Sequence, residues 1–193
     1  NACLVTINGQ RNVTVRGGTL AGDRYQHIFT PRSDGATAHD EGHLICIEGA
    51  SQNVWIDGVH ITQATGDGIL IVGKTQRPED ITLTSNNLDT NRRQGVSIVG
   101  GVRVRIEGNQ IHHTRGSSPE FGIDIEPLGG YVVRDVIVRG NQFHHNRGGD
   151  VVNTRGWNVL IEGNTLDQGD PVVTSGDGKN YIDGPIVFWP SAD

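Results

Sequence analysis

The sequence predicts an all-β protein, a right-handed parallel β-helix (a solenoid) of about six coils, from three observations. One phrase recurs along the chain: an apolar-x-apolar strand, Gly or Ser, Asn, any residue and then an apolar residue. A second short strand lies between successive copies, and its first residues are 24, 27, 27 and 28 positions apart. The composition, with 28 glycines and 5% aromatic residues, suits tight corners around a thin aliphatic core.

The recurring phrase defines one strand of each coil and the corner that follows it. Because its Asn falls at the same corner in successive coils, we expect a stacked ladder of side-chain amides that satisfies the backbone of the turns. The copies lie at residues 81–88, 104–111, 136–143 and 159–166, with looser copies at 13–20 and 54–61, and the corner residues are Asn86, Asn109, Asn141 and Asn164.

The second strand supplies the other repeated face of the coil. Its apolar residues alternate, so the inward ones stack on the coil below at about 4.7–4.9 Å per step. Helical heptads do not give this spacing, and a β-sandwich, the alternative fold, would not repeat one phrase at one corner. The right-handed preference of parallel crossovers predicts the hand. The strands begin at Ile45, Ile69, Val96, Ile123 and Val151.

We interpret residues 1–193 as a single β-helix domain, and because it starts at Asn1 without Met we expect a fragment of a larger chain or a processed chain. The longest insertion, residues 22–42, is rich in polar and aromatic residues, so we expect it to cover a groove on the loop-bearing face. Residues 170–193 depart from the coil pattern and are interpreted as an irregular cap or contact segment.

Two cysteines lie near the start of the chain. If Ile7 and Ile47 occupy equivalent strand positions, alternation puts Cys3 on the inner face and Cys46 on the outer face. Side chains on opposite faces cannot reach the short Cβ–Cβ distance of a disulfide, so we expect two free thiols.

Composition also excludes some partners. The net charge is −6 and no basic stripe is present, which argues against nucleic acid. No apolar run approaches the roughly 18 residues of a membrane helix, which argues against a membrane span.

Outward side chains of successive coils fall into columns, and polar residues concentrate on one edge of the tube. We predict that they line a groove that holds an extended sugar chain, with Tyr25 and His43 as further substrate-binding residues. The lining residues are Asp67, Arg92, Arg93, Gln94, Asp124, Glu126 and Asp150.

Two carboxylates in this groove suggest chemistry. Asp124 and Glu126 are two apart on one strand, so they share a face with Cα atoms about 6.5–7 Å apart. That spacing suits the acid and the base of inverting glycoside hydrolysis, with Asp67 as a supporting acid. Arg92 and Arg93 are predicted to bind substrate carboxylates.

Other interpretations stay open at these residues. β-Elimination from a uronic acid needs a cation or Arg and a base, roles that Arg92, Arg93, His43, His112 or Tyr25 could fill. Outward carboxylates can also simply solvate a strand. Acid clusters leave Ca²⁺ open as a cofactor, although no calcium motif is present.

Two His-His pairs recur at one corner, His112-His113 and His144-His145. Recurrence at one corner predicts a stacked ladder. No third ligand has a recognisable spacing, so no metal site is predicted there.

Several phrases are familiar together: GDGILIV, NRRQGVSIV, TRGSSPEFGIDIEP and the GDRYQH…HDEGH loop. Over about Cys3 to Gln168 the chain resembles the right-handed parallel β-helix proteins of the pectate-lyase-like superfamily, which includes pectate lyases, polygalacturonases, alginate epimerases and phage tailspike depolymerases. The polygalacturonase motifs are not intact here, and the epimerase Asp-Pro-His is missing, although Asp124-Ile125-Glu126-Pro127 lies in a similar outward position. The resemblance implies the fold and a polysaccharide partner more strongly than it implies one reaction.

The sequence therefore predicts a carbohydrate-active β-helix that binds and cleaves an extended, acidic polysaccharide by hydrolysis or elimination, outside the cell or on a virion. One alternative is a non-catalytic polysaccharide- or receptor-binding module of a phage tailspike or adhesin. Another is a purely structural solenoid segment. The tailspike resemblance also raises a homotrimer as an open alternative.

Overall fold

The computed structural model describes residues 2–30 and 40–167, together with the backbone of residues 172–174 and 180–182. The described chain is a parallel β-helix, as predicted, with three strands in each complete coil. Strands of successive coils pair in parallel within three sheets of seven, seven and five strands. Within the described ranges, no helix is long and apolar enough to cross a membrane.

The nineteen strands, numbered in chain order, are distributed over sheets A, B and C. Sheet A contains β1 (Ala2–Asn8), β4 (Gly42–Glu48), β7 (Ile69–Val72), β10 (Val96–Ile98), β13 (Phe121–Ile125), β16 (Gly149–Asn153) and β18 (Val172–Thr174). Sheet B contains β2 (Arg11–Arg16), β5 (Gln52–Asp57), β8 (Glu79–Thr84), β11 (Gly101–Glu107), β14 (Val133–Arg139), β17 (Trp157–Glu162) and β19 (Asn180–Ile182). Sheet C contains β3 (Thr19–Ala21), β6 (His60–Thr62), β9 (Asn87–Asp89), β12 (Gln110–His112) and β15 (Gln142–His144).

The core is a stack of inward aliphatic side chains, one row per sheet. In sheet A the pairing register aligns the five residues predicted to begin the second strand of each coil, and all of them are fully buried. Each coil therefore buries its apolar residues against the coils above and below. The row contains Ile45, Ile69, Val96, Ile123 and Val151.

The predicted asparagine ladder is present at the corner between sheets B and C. Asn109 Oδ1 accepts hydrogen bonds from the backbone N–H and the side-chain amide of Asn86, at 2.9 and 3.0 Å. The amide of Asn109 in turn donates to the carbonyl oxygen of Leu83 and to Asn141 Oδ1. The residue before each Asn turns the chain in the left-handed region, as at Gly108 with φ 65°, which favours Gly at this place in the phrase.

The expectation of two free thiols is wrong, because Cys3 and Cys46 form a disulfide with their Cα atoms 5.9 Å apart. Ile7 does pair with Ile47, as assumed. Strict alternation fails instead, because the consecutive residues Leu44 and Ile45 both belong to the hydrophobic core. The pairing of β1 with β4 also omits the Leu4–Leu44 position, where the regular register is interrupted.

The ends of the predicted groove-covering loop pack on the coils. Arg24 Nη1 donates to the carbonyl oxygen of Thr90 at 2.6 Å, and the Arg92 guanidinium lies over the Phe29 ring at 3.9 Å. Residues 31–39 lie outside the described part, so the covering role stays a prediction. In the predicted C-terminal segment, β18 and β19 add one strand each to sheets A and B, and the rest lies outside the described residues.

Candidate functional site

The outward row of sheet A carries the candidate chemistry. Register pairs Cys46, Leu70, Ser97, Asp124 and Val152 in successive coils, as predicted. Their exposed fractions are only 1, 3, 3, 5 and 7%, so these outward side chains are buried. The groove itself, which the insertion at residues 22–42 was expected to cover, stays a prediction.

Asp67 lies just before β7 and contacts both Arg93 and His43 in a buried polar cluster. Its carboxylate accepts a two-pronged hydrogen bond from Arg93, from Nε at 2.8 Å and Nη2 at 2.6 Å. Although burial lowers it, the charge and hydrogen bonds of Asp67 raise the pKa of Arg93 above its ordinary value. Asp67 is fully buried, so this fork is what makes its charge tolerable there.

His43 completes the other side of Asp67. The backbone N–H of Asp67 donates to His43 Nδ1 at 3.0 Å. A backbone N–H can only donate, so Nδ1 carries a lone pair and the ring proton sits on Nε2. Burial lowers the pKa of His43 in spite of the nearby Asp67 charge, so the ring is neutral and its 3.3 Å approach to the Asp67 carboxylate is not an ion pair.

Gln94 positions Asp124. The backbone N–H of Phe121 donates to Gln94 Oε1 at 2.7 Å, which turns the amide Nε2 toward Asp124 Oδ2 at 2.6 Å. Gln94 is fully buried. The second oxygen, Asp124 Oδ1, is buried and has no hydrogen-bond partner among the described residues.

The environment of Asp124 changes its protonation. Burial, followed by the charge of Glu126, raises the pKa of Asp124 to about 7, against a smaller lowering by Arg93. Near neutral pH the group is therefore partly protonated. Because Oδ2 faces a donor, the proton resides on Oδ1.

Two glycines explain why the chain can pass so closely here. A Cβ on Gly66 would lie 2.3 Å from the Asp40 carbonyl oxygen and 2.9 Å from His43 Nδ1. A Cβ on Gly95 would lie 2.5 Å from the Gly122 carbonyl oxygen. The glycines flanking the strand starts thus allow neighbouring coils to approach where the polar side chains are held.

We call the six residues that these contacts bring together the Asp124 cluster. Five of them were predicted to bind or react with substrate, and Ser97 was missed as a site residue. Ser97 Oγ lies 3.5 Å from Arg93 Nη2. The Asp124 cluster consists of His43, Asp67, Arg93, Gln94, Ser97 and Asp124.

The remaining predicted residues take other positions. Glu126 is half-buried just after β13, close enough for its charge to affect Asp124. Arg92 turns to Phe29 and the carbonyl oxygen of Thr65, away from the fork of Arg93. Tyr25 is 63% exposed beside Arg24.

Asp150 has a structural role at its corner. It is fully buried, and its oxygens accept from the Asn146 side-chain amide and from the backbone N–H of Asp167, both at 3.0 Å. These bonds tie together the two corners of adjacent coils. Both of these partners lie outside the Asp124 cluster.

The histidine pairs form the predicted ladder at the corner after sheet C. The rings of His112 and His144 stack with centroids 4.2 Å apart, and those of His113 and His145 stack at 4.9 Å. Burial lowers the pKa of His112 to about 4, so its ring is neutral at physiological pH. We call these four rings and Asp89, which lies beside His112, the histidine corner.

Comparison with known proteins places the fold in a family. A family model described as "Right handed beta helix region" matches residues 3–184. The chain belongs to this family. Membership in the right-handed β-helix family agrees with the parallel coils and with the predicted hand.

Two relatives come from Bacillus subtilis (strain 168). The uncharacterized protein YclG is 36% identical over 200 residues, which cover 95% of this chain and 33% of YclG. The SPbeta prophage-derived uncharacterized protein YorA is 32% identical over 129 residues, 61% of this chain and 22% of YorA. The β-helix described here thus spans about a third or less of these curated relatives.

A solved structure with a related shape is PfbA, a surface adhesin of Streptococcus pneumoniae. It has a TM-score of 0.40 and 15% identity, covering 80% of this chain and 45% of that one. No argument about function follows from a likeness at that score.

Proposed function

We propose that this β-helix binds and cleaves an extended, acidic polysaccharide, with Asp124 as the proton donor. The observation that carries the proposal is the state of Asp124: its pKa is raised to about 7, one oxygen is held by Gln94, and the other has no partner among the described residues. A carboxylic acid that keeps its proton near neutral pH is what glycosidic cleavage requires of its acid.

The two carboxyl groups divide the reaction. Asp124 passes its Oδ1 proton to the glycosidic oxygen as the bond from that oxygen to the anomeric carbon breaks. Glu126 takes a proton from a water whose oxygen forms the new bond to the anomeric carbon. The two residues are two apart in sequence, about 6.5–7 Å between Cα atoms in an extended chain. An inverting pair requires room for the attacking water between its carboxyl groups.

Arg93 supports an acidic substrate. Its Nε and Nη2 are engaged by Asp67, whereas Nη1 makes no hydrogen bond to the described residues. The side chain is 26% exposed, so Nη1 is available to a sugar carboxylate at the margin of the cluster. Substrate would approach along Arg93 and Glu126, the partly exposed neighbours of buried Asp124.

The tautomer of His43 excludes this ring as the base of an elimination. Elimination needs a base that removes the proton next to the sugar carboxylate. His43 Nδ1 already accepts the N–H of Asp67, and Nε2 carries a proton, so this ring has no lone pair to offer.

A polysaccharide panel tests the proposal. We expect the wild type to release reducing ends from an acidic polymer, without the absorbance of unsaturated uronate products, and to lose activity as pH rises above about 7. Asp124→Asn and Glu126→Gln should each lower the rate at least about 100-fold. Asp135→Asn, on β14 in sheet B, is the matched control and should cleave like the wild type.

Two outcomes would contradict the assignment. Cleavage that survives both Asp124→Asn and Glu126→Gln removes these residues from the mechanism. No cleavage of any acidic polymer, with binding retained, removes the enzyme function itself.

A binding module of a phage particle is the second candidate, and one observation favours it. YorA, one of the relatives, is described as SPbeta prophage-derived. This candidate keeps the sugar-binding surface and predicts binding of the same polymers with no product formed.

The disulfide supports a location outside the cytoplasm for either candidate. Bonds such as Cys3–Cys46 persist in oxidising surroundings and are rare in reducing cytosol. We therefore propose that the protein meets its polysaccharide outside the cell or on a virion.

A further inference from the structure

The histidine corner is built by two aligned columns. Register places His112 directly beside Asp89 on one side and beside His144 on the other. The following residues, His113 and His145, have left-handed backbones with φ 56° and 57°. That conformation departs from strand alternation, and the Nδ1 atoms of His112 and His113 face each other at 2.8 Å.

Three potential ligand atoms meet at this point. His112 Nδ1 lies 2.8 Å from His113 Nδ1 and 3.2 Å from Asp89 Oδ1, and His113 Nδ1 lies 3.8 Å from the same oxygen. Ligands about 2.0–2.1 Å from a tetrahedral Zn²⁺ are about 3.3–3.4 Å apart. The triangle therefore has the size of one face of such a site.

The hydrogen bonding of His112 leaves its lone pair inside the triangle. Its Nε2 lies 2.8 Å from Asn87 Oδ1, an acceptor, so Nε2 carries the proton and Nδ1 has the lone pair. Without a cation, this lone pair accepts the hydrogen bond of the His113 Nδ1–H at 2.8 Å, so metal binding would replace that proton by the ion, next to the Asp89 carboxylate at 3.2 Å. A carbonyl oxygen behind the distal nitrogen is also the usual outer partner of a metal-bound histidine.

We propose that the histidine corner binds a divalent first-row transition-metal ion such as Zn²⁺ through His112 Nδ1, His113 Nδ1 and Asp89. A further nitrogen is at hand, because one ligand atom each of His112, His113 and His144 lie within 4.8 Å of one another. The His112 and His113 side chains are 13% and 38% exposed, so an ion can enter from solvent. Imidazole and carboxylate ligands suit Zn²⁺, Cu²⁺ or Ni²⁺, whereas Ca²⁺ prefers all-oxygen sites.

Calorimetric titration of the full chain with ZnCl₂, after chelator treatment and dialysis, tests this proposal. We expect one Zn²⁺ per chain and no comparable binding of CaCl₂. His113→Asn keeps a residue that tolerates the left-handed backbone and removes the imidazole, and Asp89→Asn removes only the charge. Each should weaken Zn²⁺ binding more than about 10-fold, the loss that even an outer-shell change causes.

His27→Asn is the matched control, because it removes an imidazole from the long insertion and should bind Zn²⁺ like the wild type. Circular dichroism and thermal melting of every variant establish that it is folded, and Asp89→Asn decides the question if His113→Asn does not fold. Absence of Zn²⁺ uptake by the wild type overturns the proposal. Equal affinity of Asp89→Asn and the control also overturns it.

Discussion

Replacement of Asp124 by Asn tests the buried acid independently of any substrate. Asn has the shape of the protonated carboxylic acid: its oxygen can accept the hydrogen bond from Gln94, and its NH₂ group occupies the place of the Oδ1–H. The variant therefore preserves the contacts of the neutral acid and removes only its ability to ionise. We expect it to be more stable than the wild type at alkaline pH.

The magnitude follows from the pKa of Asp124, which burial and then the Glu126 charge raise from 3.8 to about 7. A folded-state pKa above the unfolded one means that the native protein binds this proton more tightly. Its stabilising effect is complete below about pH 4 and is lost as pH rises through about 7. At 1.36 kcal/mol per pH unit, the wild type loses about 4 kcal/mol of unfolding free energy over this window, and the Asp124→Asn variant does not.

Urea denaturation at several values between pH 4 and 9 measures the effect. The unfolding free energy of Asp124→Asn minus that of the wild type should grow by about 4 kcal/mol across the series. Asp135→Asn in sheet B should follow the wild type at every pH. A difference between Asp124→Asn and the wild type that stays constant with pH would show that Asp124 has no raised pKa. That result would also refute the assignment of Asp124 as the proton donor.

Three further changes test how the coils are held together. Cys46→Ser opens a bridge between residues 43 apart and should lower the unfolding free energy by about 4 kcal/mol, as chemical reduction of the wild type should. Asn109→Ala leaves the Asn86 N–H and the Leu83 carbonyl without their partner and should cost about 3 kcal/mol, whereas Gln110→Ala on the exposed neighbour should cost little. Arg93→Ala leaves the buried Asp67 carboxylate without its cation and should lower the unfolding free energy by about 3–5 kcal/mol. Adding Asp67→Asn in the double variant should restore part of this loss.

Denaturation curves give a clear contradiction for each of these. A reduced wild type as stable as the oxidised one refutes the disulfide estimate. Equal losses for Asn109→Ala and Gln110→Ala refute the ladder as a source of stability. Additive losses at Arg93 and Asp67 would mean that the two side chains do not interact.

The solenoid could be predicted from sequence because its signal is periodic. Ile69, Val96 and Ile123 recur at nearly constant spacing, and parallel stacking turns constant spacing into aligned rows. The same argument placed Asp124 in a row with Ser97 and predicted the asparagine ladder. Alternation then gave the direction of most strand side chains.

Local departures from strand alternation could not be predicted from the sequence. The interrupted register at Leu44 lets Cys46 bond to Cys3, and the left-handed His113 turns its ring toward His112. Neither departure changes the apolar pattern, so neither leaves a signal in it. The burial of Asp124 was also hidden, because a strand pattern shows which way a side chain points and not what lies above it.

The residues of the Asp124 cluster come from four successive turns of the tube. His43 lies in β4, Asp67 just before β7, Gln94 just before β10 and Asp124 in β13. Its internal distances are therefore set by the pitch of the winding and not by any single loop. Whole turns gained or lost beyond these four would lengthen or shorten the tube and leave the cluster intact, because each turn touches only its neighbours. The reach of the tube along the proposed polysaccharide can thus change over evolution without any change in the Asp124 cluster.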